Sequence, residues 1–472
     1  MANTLQAGFA RVEISPRKAS VPLGGHGASQ FRLCAQVVDP LYANVIALAN
    51  GEERCIYLSL DLIYVPPVPM EAYRAAISEA TGVPANRIFA CGSHTHAGPD
   101  MHSMLPTAVA YREVELPAYL VEAAKRALAD LKPAKLSYGK GLAGRPGAWM
   151  NFDRHYYGVE TAKKDSYTEA DLLDGVGAVK SGFTRGDYVP VRHKEEADHS
   201  LQVLRFSREA ADDIILVNYA AHGTTADLNQ RCPNVSSDHP GALVKRLEEI
   251  LPGTKCAYLQ GCCGNLIPNT LIEEEGVRCI TYDKDKHVRD WHAYGAVMAS
   301  YAYEILMHHM QESETDTLQF VQHDYVAKYD HQKDDLVEQA KEALKVFDAE
   351  GHTPEAKAWC KKFNLGGVYA CGAIIRRASL PETGSFELNA IRIGDCAIAT
   401  IPFEPFSSIG ESIKAASPFA MTFVNGYCGG HQGYLPNKNV NPKAYEGLTT
   451  NYVLGTGEGV AEKLVEMLKK LK

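Results

Sequence analysis

The sequence predicts an α/β protein in which mixed β-sheets are flanked by helices. Short apolar segments rich in β-branched and aromatic residues alternate along the chain with longer segments of helical periodicity. Such alternation is typical of layered α/β architectures. No linker of biased composition divides the 472 residues, so residues 1–472 are interpreted as a single unit.

The first third of the chain contains a predicted hairpin, two helices and a buried strand. The first helix ends before Gly82, a residue type that often caps the C-terminus of a helix. The second helix stops before Pro133. In chain order the elements are strands 45–49 and 55–60, helix 70–81, strand 87–91 and helix 113–131.

A second set of elements follows a region, residues 140–200, that is rich in Gly, Tyr, Asp and Lys and has weak periodicity. This region is predicted to be a long ordered loop beside the functional site. A peripheral helical insertion is predicted at about 330–370, from helical patterns at 334–349 and 354–363. The other elements are strands 214–219, 255–259 and 420–424, a hairpin at 388–400, and helices 240–251, 291–310, near 407 and 460–471.

Composition excludes several classes of protein. A hydrophobic fraction of 46% and a charged fraction of 22% are typical of globular proteins, and a net charge of -9 without a basic patch argues against nucleic acid as a partner. No apolar run is long enough to span a membrane, and the N-terminus lacks the pattern of a secretory signal. The 12 irregularly spaced cysteines indicate reduced thiols. The chain is therefore predicted to be cytoplasmic, with a small-molecule substrate and with a homo-oligomer left open.

Three of the predicted strands lead directly into polar turns. The first two lead into His94 and His222, and the third leads into the Gly-rich turn 260–265. Ligands of open α/β sheets bind outside the carboxyl ends of the strands. We therefore expect these turns to share one site at one edge of a sheet.

The His94-Thr-His96 segment could place two imidazoles on one face of an extended backbone. Imidazole is a frequent zinc ligand, and a catalytic zinc usually takes three protein ligands and a water molecule. An isolated His-x-His pair is nevertheless more often a surface or hydrogen-bonded pair. The pattern by itself leaves both interpretations open.

Several segments together resemble the neutral/alkaline, non-lysosomal ceramidase family. The segment Gly92-Ser-His-Thr-His-Ala-Gly-Pro is similar to the family's Thr-His-Thr-His-Ser-Gly-Pro, and the resemblance extends in order from about residue 7 to 470. It implies the ceramidase-like catalytic fold without the C-terminal immunoglobulin-like domain of the secreted members. The other similar segments are 7–16, 39–43, 221–222 with 236–238, 260–269, and 434 with 445–446.

The resemblance also implies a zinc amidase and its site residues. The implied ligands of Zn2+ are His94, His222, Glu404 and Tyr434. His96 is implied to face the substrate carbonyl as the oxyanion or acid–base residue, and Arg154 is matched to an arginine near the same oxygen. Gly261, Cys262, Cys263, Gly264 and Asn265 are expected to bind substrate. Asp238 is predicted either to orient a histidine or to cap the helix that follows.

One departure from the family changes the expected mechanism. The family places a serine, often described as the nucleophile, where this chain has Ile267. We therefore predict attack by water that zinc activates. Cys262 or Cys263 would be substitute nucleophiles, but a free cysteine is more often a small buried apolar residue.

The substrate predicted from these residues is small and polar. The regions expected to shape specificity, 140–200 and 360–380 with Arg376 and Arg377, are polar, and no amphipathic anchor favours a lipid. The function predicted is zinc-dependent hydrolysis of an amide bond in an N-acyl compound. The alternatives are a zinc hydrolase of an ester, lactone or glycoside, and a non-catalytic, zinc-stabilised binding protein.

Overall fold

Two β-sheets form the centre of the molecule. The computed structural model describes residues 4–18, 20–25, 32–145, 149–153, 157–159, 188–190, 197–226, 234–269, 273–274, 277–278, 282–283, 288–289, 291–350, 353–363, 365, 367–442 and 444–472. Within these ranges the large sheet consists of β1 (Gln6–Glu13), β2 (Tyr42–Asn50), β3 (Glu53–Leu60), β4 (Ile88–Gly92), β5 (Lys132–Leu142), β6 (Ser200–Arg208), β7 (Asp213–Tyr219), β8 (Thr254–Gln260) and β9 (Gln311–Glu312). The second sheet consists of β10 (Leu318–Lys328), β11 (Thr383–Ile393), β12 (Cys396–Thr400) and β13 (Met421–Asn425).

Helices cover the outer faces of both sheets. They are α1 (Pro67–Thr81), α2 (Pro106–Ala110), α3 (Leu116–Ala129), α4 (Asp238–Ile250), α5 (Trp291–His308), α6 (Val337–Glu350), α7 (Pro354–Lys362), α8 (Val368–Ala378), α9 (Ser407–Ala416), α10 (Tyr445–Thr449) and α11 (Thr456–Leu471). A π-helical turn, Tyr111–Glu115, joins α2 to α3, and 3-10 turns lie at Ala85–Arg87 and Asp334–Leu336.

Short strand pairs complete the described structure. They are Gln36–Val37 with Asn234–Val235, Asn151–Asp153 with Leu266–Pro268, Tyr157–Val159 with Tyr188–Pro190, Glu273–Glu274 with Val277–Arg278, Tyr282–Asp283 with Val288–Arg289, and Glu404–Pro405 with Tyr434–Leu435. The last pair is parallel and lies at the functional site.

Strand β7 shows how the layers are stacked. Ile214 and Leu216 point into the core between the two sheets, whereas Ile215 and Val217 point into the core beneath α4 and α5. Successive side chains of a strand point to opposite faces, so a strand that is covered on both faces reads as a continuous apolar run. The layers are therefore helix, sheet, sheet and helix, with α9 and α11 packed on the far side of the second sheet.

Twist of the large sheet brings its two edge strands together. The strand order is β8-β7-β6-β5-β1-β2-β3-β4, with parallel pairs at both ends and antiparallel pairs between. Strands of a sheet twist in one sense, so the ends of a long sheet can approach each other. Ser59 Oγ of β3, next to the edge strand β4, donates to the carbonyl of Tyr258 in β8, at 2.6 Å.

The predicted elements are largely confirmed. The hairpin of β2 and β3, helix α1 with Gly82 in the left-handed conformation, and the hairpin turning at Gly394 all form. Helices α6 and α7 form where helices were predicted, and α8 follows them. That this segment is a peripheral insertion stays a prediction. Most of region 140–200 lies outside the described residues, but β5 and β6 occupy its two ends.

Five described strands of the two sheets were not predicted as such. They are β1, β5, β6, β9 and β10. Strand β10 is an edge strand whose residues alternate between exposed and half-buried, and its Lys, Asp and His residues mask the strand pattern. Long-range pairing, and not local propensity, places these segments in the sheets.

Candidate metal centre

His94 stands at the end of β4 in a constrained conformation. Its amide donates to the carbonyl of Leu62 at 3.0 Å, and its Nδ1 donates to the carbonyl of Ile63 at 3.0 Å. Its φ of 65° lies in the left-handed region that residues other than glycine rarely occupy. Because a carbonyl can only accept, Nδ1 carries the proton and Nε2 presents a lone pair to the interior.

His222 follows β7 and is oriented in the same way. Its Nδ1 donates to the carbonyl of Leu266 at 3.0 Å, which leaves Nε2 as the available ring nitrogen. The next residue must be small, since a Cβ on Gly223 would lie 2.4 Å from the carbonyl oxygen of His94. The two histidine turns can therefore approach each other only with glycine at this position.

His96 completes a buried cluster of three imidazoles. Its amide donates to the carbonyl of Gly223 at 2.8 Å, and its Nε2 lies 3.2 Å from Nε2 of His94. One potential ligand atom from each of His94, His96 and His222 lies within 4.8 Å of the others. The structure thus brings together the histidines that the strand-end pattern indicated.

Glu404 enters the same cluster from the second sheet, shortly after β12. Its Oε2 lies 3.5 Å from Nε2 of His94 and 3.6 Å from Nε2 of His222. Its Oε1 accepts a hydrogen bond from Nε2 of His431 at 3.1 Å. The side chain is buried, so a carboxylate stands inside the protein among three histidines.

The ionisation states of this cluster suit a bound cation. Burial lowers the pKa of His94 to about 3, although the nearby carboxylate of Glu404 opposes the shift. Burial alone would raise the pKa of Glu404, but the nearby imidazoles of His94 and His222 and the hydrogen bond from His431 hold it well below its usual range. Neutral imidazole and ionised carboxylate are the states in which these groups coordinate a metal.

Two buried polar atoms support this interpretation. Nε2 of His222 and Oε2 of Glu404 have no hydrogen-bond partner among the described residues. An unsatisfied buried polar atom costs roughly 1–3 kcal/mol, and such atoms are rare in folded proteins. A divalent cation between them would satisfy both, and nitrogen and carboxylate donors suit zinc and several other divalent ions.

Tyr434 lies beside Glu404 in a short parallel strand pair. The two residues are directly opposite in register, and Tyr434 is buried. Residues opposite each other in paired strands project to the same face, so the Tyr434 side chain is on the side of Glu404. Its role as a metal ligand stays a prediction.

The Gly-rich turn after β8 supports the strand that carries Glu404. A Cβ on Gly264 would lie 2.6 Å from the carbonyl oxygen of Glu404, and the Gly264 amide donates to the carbonyl of Pro405 at 2.8 Å. The Gly261 amide donates to the carbonyl of Tyr219, also at 2.8 Å. These two amides were expected to approach substrate, and in the structure each donates to a backbone carbonyl. Substrate binding by this turn stays a prediction.

The remaining side chains of the turn are also engaged in packing and hydrogen bonds. Cys262 packs against Gly410 of α9, and Sγ of Cys263 lies 3.1 Å from the hydroxyl of Tyr427. Asn265 donates to Asp153 at 2.6 Å and accepts from the Ser407 amide at 2.8 Å. Burial raises the pKa of the Cys262 thiol, which keeps it protonated and weakly nucleophilic.

Asp238 has a structural environment of its own. It accepts hydrogen bonds from the hydroxyl of Thr225 and from the amide of Ala226, the latter at 2.8 Å. The imidazole beside it is that of His239, at 3.3 Å, and not one of the three clustered histidines. Asp238 is also the first residue of α4, whose N-cap position is occupied by Ser237.

Arg154 lies outside the described residues.

Two contacts between a tyrosine ring and a histidine ring at the centre were not predicted from the sequence. The ring of Tyr427 lies 4.0 Å from that of His94, and the ring of Tyr64 stacks on His431 at 3.9 Å. His431 follows β13 in a Gly-rich turn, the same pattern that identified His94 and His222. Extending that pattern to a fourth strand would have found it.

The described helices contain no segment with the length and apolar character needed to span a bilayer. The described cysteines are buried and form no disulfide with one another; that the thiols are reduced stays a prediction.

Comparison with known proteins identifies the fold. No protein-family model and no curated sequence matches the chain. Among solved structures, neutral ceramidase from Pseudomonas aeruginosa matches with a TM-score of 0.72 and 18% identity, covering 100% of this chain and 75% of that one. A ceramidase complexed with C2 matches with a TM-score of 0.66 and 17% identity, covering 99% of this chain and 75% of the other. The chain therefore has the fold of the neutral ceramidase catalytic domain, as the resemblance of its motifs implied.

Proposed function

We propose that this protein is a zinc-dependent hydrolase that cleaves the amide bond of a small polar N-acyl compound. The observation that carries the proposal is the meeting of three buried histidines with the buried, ionised carboxylate of Glu404. The ceramidases, whose fold this chain shares, support amide cleavage over other hydrolytic reactions. The substrate itself is proposed on the polarity of the surrounding residues.

The proposed ligands are His94, His222, Glu404 and Tyr434. A divalent ion held there supplies Lewis acidity and lowers the pKa of water toward neutrality. The protein presents the lone pairs, because the carbonyls of Ile63 and Leu266 fix the Nδ1–H tautomers of the two histidines. His431 donates to Oε1 of Glu404 and so directs Oε2 toward the histidines.

His96 is the proposed acid–base and oxyanion residue. Its Nε2 stands beside Nε2 of His94, so a substrate carbonyl at the centre would meet an N–H of a protonated His96. One well-placed donor to a developing oxyanion lowers the activation free energy by about 3–4 kcal/mol. The same proton can pass to the leaving nitrogen as the C–N bond breaks. Arg154 is proposed to assist at the same oxygen.

A second candidate is cleavage of an ester or lactone by the same centre. Ile267, opposite Phe152 in the pair Asn151–Asp153 with Leu266–Pro268, replaces the serine expected of the family. A better leaving group needs less assistance from the enzyme than an amine does. The two candidates therefore differ in the bond and not in the site.

The test combines metal analysis with a substrate panel. We expect the purified protein to contain about one equivalent of metal per chain and to hydrolyse N-acetyl amino acids faster than matched esters, lactones or glycosides. The metal-stripped protein should lose turnover and regain it with added zinc. Absence of amide turnover, with ester turnover present, would reject the leading proposal and favour the second.

A further inference from the structure

Arg376 and Arg377 are neighbours in the last turn of α8 but have different environments. Arg377 is fully buried and donates to the carbonyls of Leu448, at 3.2 Å, and Thr450, at 2.7 Å. Arg376 is exposed, and its guanidinium donates to Oδ1 of Asn451 at 3.3 Å. Arg377 thus holds α8 in place, whereas Arg376 is available at the surface.

A chain of hydrogen bonds connects Arg376 to the segment that carries Glu404. Asn451, which accepts from Arg376, donates through Nδ2 to the carbonyl of Gln432 at 2.7 Å. The Gln432 amide donates to the carbonyl of Pro402 at 2.8 Å. Gln432 follows His431, the residue bonded to Glu404, and Pro402 precedes Glu404 by two positions. The guanidinium is therefore anchored to the segments 402–404 and 431–432, which form the wall that carries Glu404.

Aromatic contacts extend the same wall. Tyr64 stacks on His431, and its ring centroid is 5.3 Å from that of His102. Tyr64 and His102 thus lie on the same side of the molecule as His431.

The guanidinium has no carboxylate partner among the described residues. Other exposed arginines on helices do have one: Arg126 pairs with Glu122 at 3.6 Å, and Arg246 pairs with Glu249 at 3.2 Å. A basic residue in the last turn of a helix also favours the helix dipole, which would be a purely structural role. That role explains the charge at the end of α8 but not its attachment, through neutral amides, to the wall beside Glu404.

We propose that Arg376 binds a carboxylate of the substrate, so that the amide hydrolysed at the metal centre belongs to an N-acyl amino acid or a similar anionic N-acyl compound. This inference rests on the proposed function and names its substrate class. A guanidinium presents two parallel N–H donors that match the two oxygens of a carboxylate. Arg376 is a specificity residue, and it does not touch the bond that breaks.

The reaction is balanced by water alone. The C–N bond of the amide breaks, the acyl carbon takes the oxygen of water, and the protons of water are shared between the leaving amine and the medium. The carboxylate at Arg376 remains unchanged throughout. It would fix the amide nitrogen and carbonyl relative to the metal centre and to His96, the proposed acid–base residue.

The kinetic test follows the release of acetate from two probes, N-acetylglycine, which ends in a carboxylate, and N-acetylglycinamide, which ends in an uncharged carboxamide. In the metal-loaded wild type we expect the acid to have the higher kcat/KM. In Arg376→Gln the kcat/KM for the acid should fall about ten- to hundredfold, mainly through KM, with the amide unchanged. Arg376→Lys should recover part of the loss. The matched control Arg246→Gln should behave as wild type with both probes.

A binding test separates this inference from the proposed function. Calorimetric titration of N-acetylglycine, N-acetylglycinamide and N-acetyltaurine into metal-free protein does not depend on turnover. Preferential binding of the acid that is lost in Arg376→Gln would support the anion site even if no amide were cleaved. Equal binding of acid and amide, or an equal effect of Arg376→Gln on both, would overturn it. Tighter binding of N-acetyltaurine than of N-acetylglycine would overturn the carboxylate assignment and indicate that Arg376 binds a sulfonate.

Discussion

The candidate metal centre rests on strands from both sheets, whereas the lobe formed by α6, α7 and α8 is packed largely on itself. Three carbonyl oxygens, from Leu62, Ile63 and Leu266, hold the histidines by backbone contacts. The lobe has a separate apolar cluster that consists of Ala340, Ala343, Phe347, Cys360, Leu365, Cys371 and Ile374. The strands thus fix the positions of individual ligand atoms, whereas the lobe fixes only where its surface lies.

This difference suggests a division of work between the two regions. A metal centre requires ligand atoms held within a few tenths of an ångström, and strand ends in the core provide that rigidity. Selection of a substrate requires a charge at a suitable distance, which α8 can provide from the edge of the site. The lobe could therefore vary in sequence without disturbing the centre, and the following predictions test this separation.

The largest effect is expected from His222→Ala. Removal of one imidazole should reduce metal affinity and lower kcat/KM by at least about a thousandfold, because activation by the metal lowers the activation free energy by several kcal/mol. Circular dichroism should show a retained fold. His308→Ala, at an exposed histidine of α5, is the matched control and should keep both metal and activity. A variant of His222 with normal metal content would contradict the proposed ligand set.

Phe347→Ala tests whether the lobe is independent. The side chain is 1% exposed, and its loss should cost about 3–5 kcal/mol. We expect faster hydrogen exchange of amides in α6–α8, with metal content unchanged. Phe423→Ala, in the core between the sheets, should instead destabilise the whole protein. Identical exchange patterns in the two variants would show that the regions unfold together.

Asp61 precedes Leu62, whose carbonyl accepts from the His94 amide, and Asp61→Asn tests this segment through the pH dependence of stability. Burial raises the pKa of Asp61 to about 7, against the hydrogen bond from the Tyr42 amide and the charge of Arg11. The folded protein therefore keeps a proton that the unfolded chain loses above about pH 4, and wild-type stability falls as the pH rises toward 7. The stability of Asp61→Asn relative to wild type should increase by about 1.4 kcal/mol per pH unit between pH 5 and 7 and then level off.

Denaturant titrations at several pH values measure this difference. A constant difference between variant and wild type would mean that Asp61 titrates at the same pH in the folded and unfolded protein. It would then contribute to the His94 turn only through its hydrogen bond to Tyr42, at 2.9 Å.

The smallest effect is expected from Cys262→Ala. The thiol is buried against Gly410 and stays protonated, so turnover should stay within about twofold of wild type, with a modest loss of stability. A folded variant without turnover would instead identify the thiol as a nucleophile and would reject water as the attacking group.

Local patterns in the sequence were sufficient for most elements and for the meeting of the histidine turns. Apolar strands followed by His94, His222 and a Gly-rich turn predicted one site at the strand ends, because strand direction restricts where such turns can lie. The resemblance, and not the local pattern, added Glu404 from a distant segment. The structure places that carboxylate 3.5 Å from His94.

What only the tertiary structure decided is which atoms face one another. The amides of Gly261 and Gly264 are consumed by the backbone, His431 reaches Glu404, and Arg376 reaches the same wall through Asn451. No local pattern contains these contacts, since they join segments separated by tens or hundreds of residues. They depend on the twist that closes the large sheet and on the packing of the second sheet against it, which are properties of the whole chain.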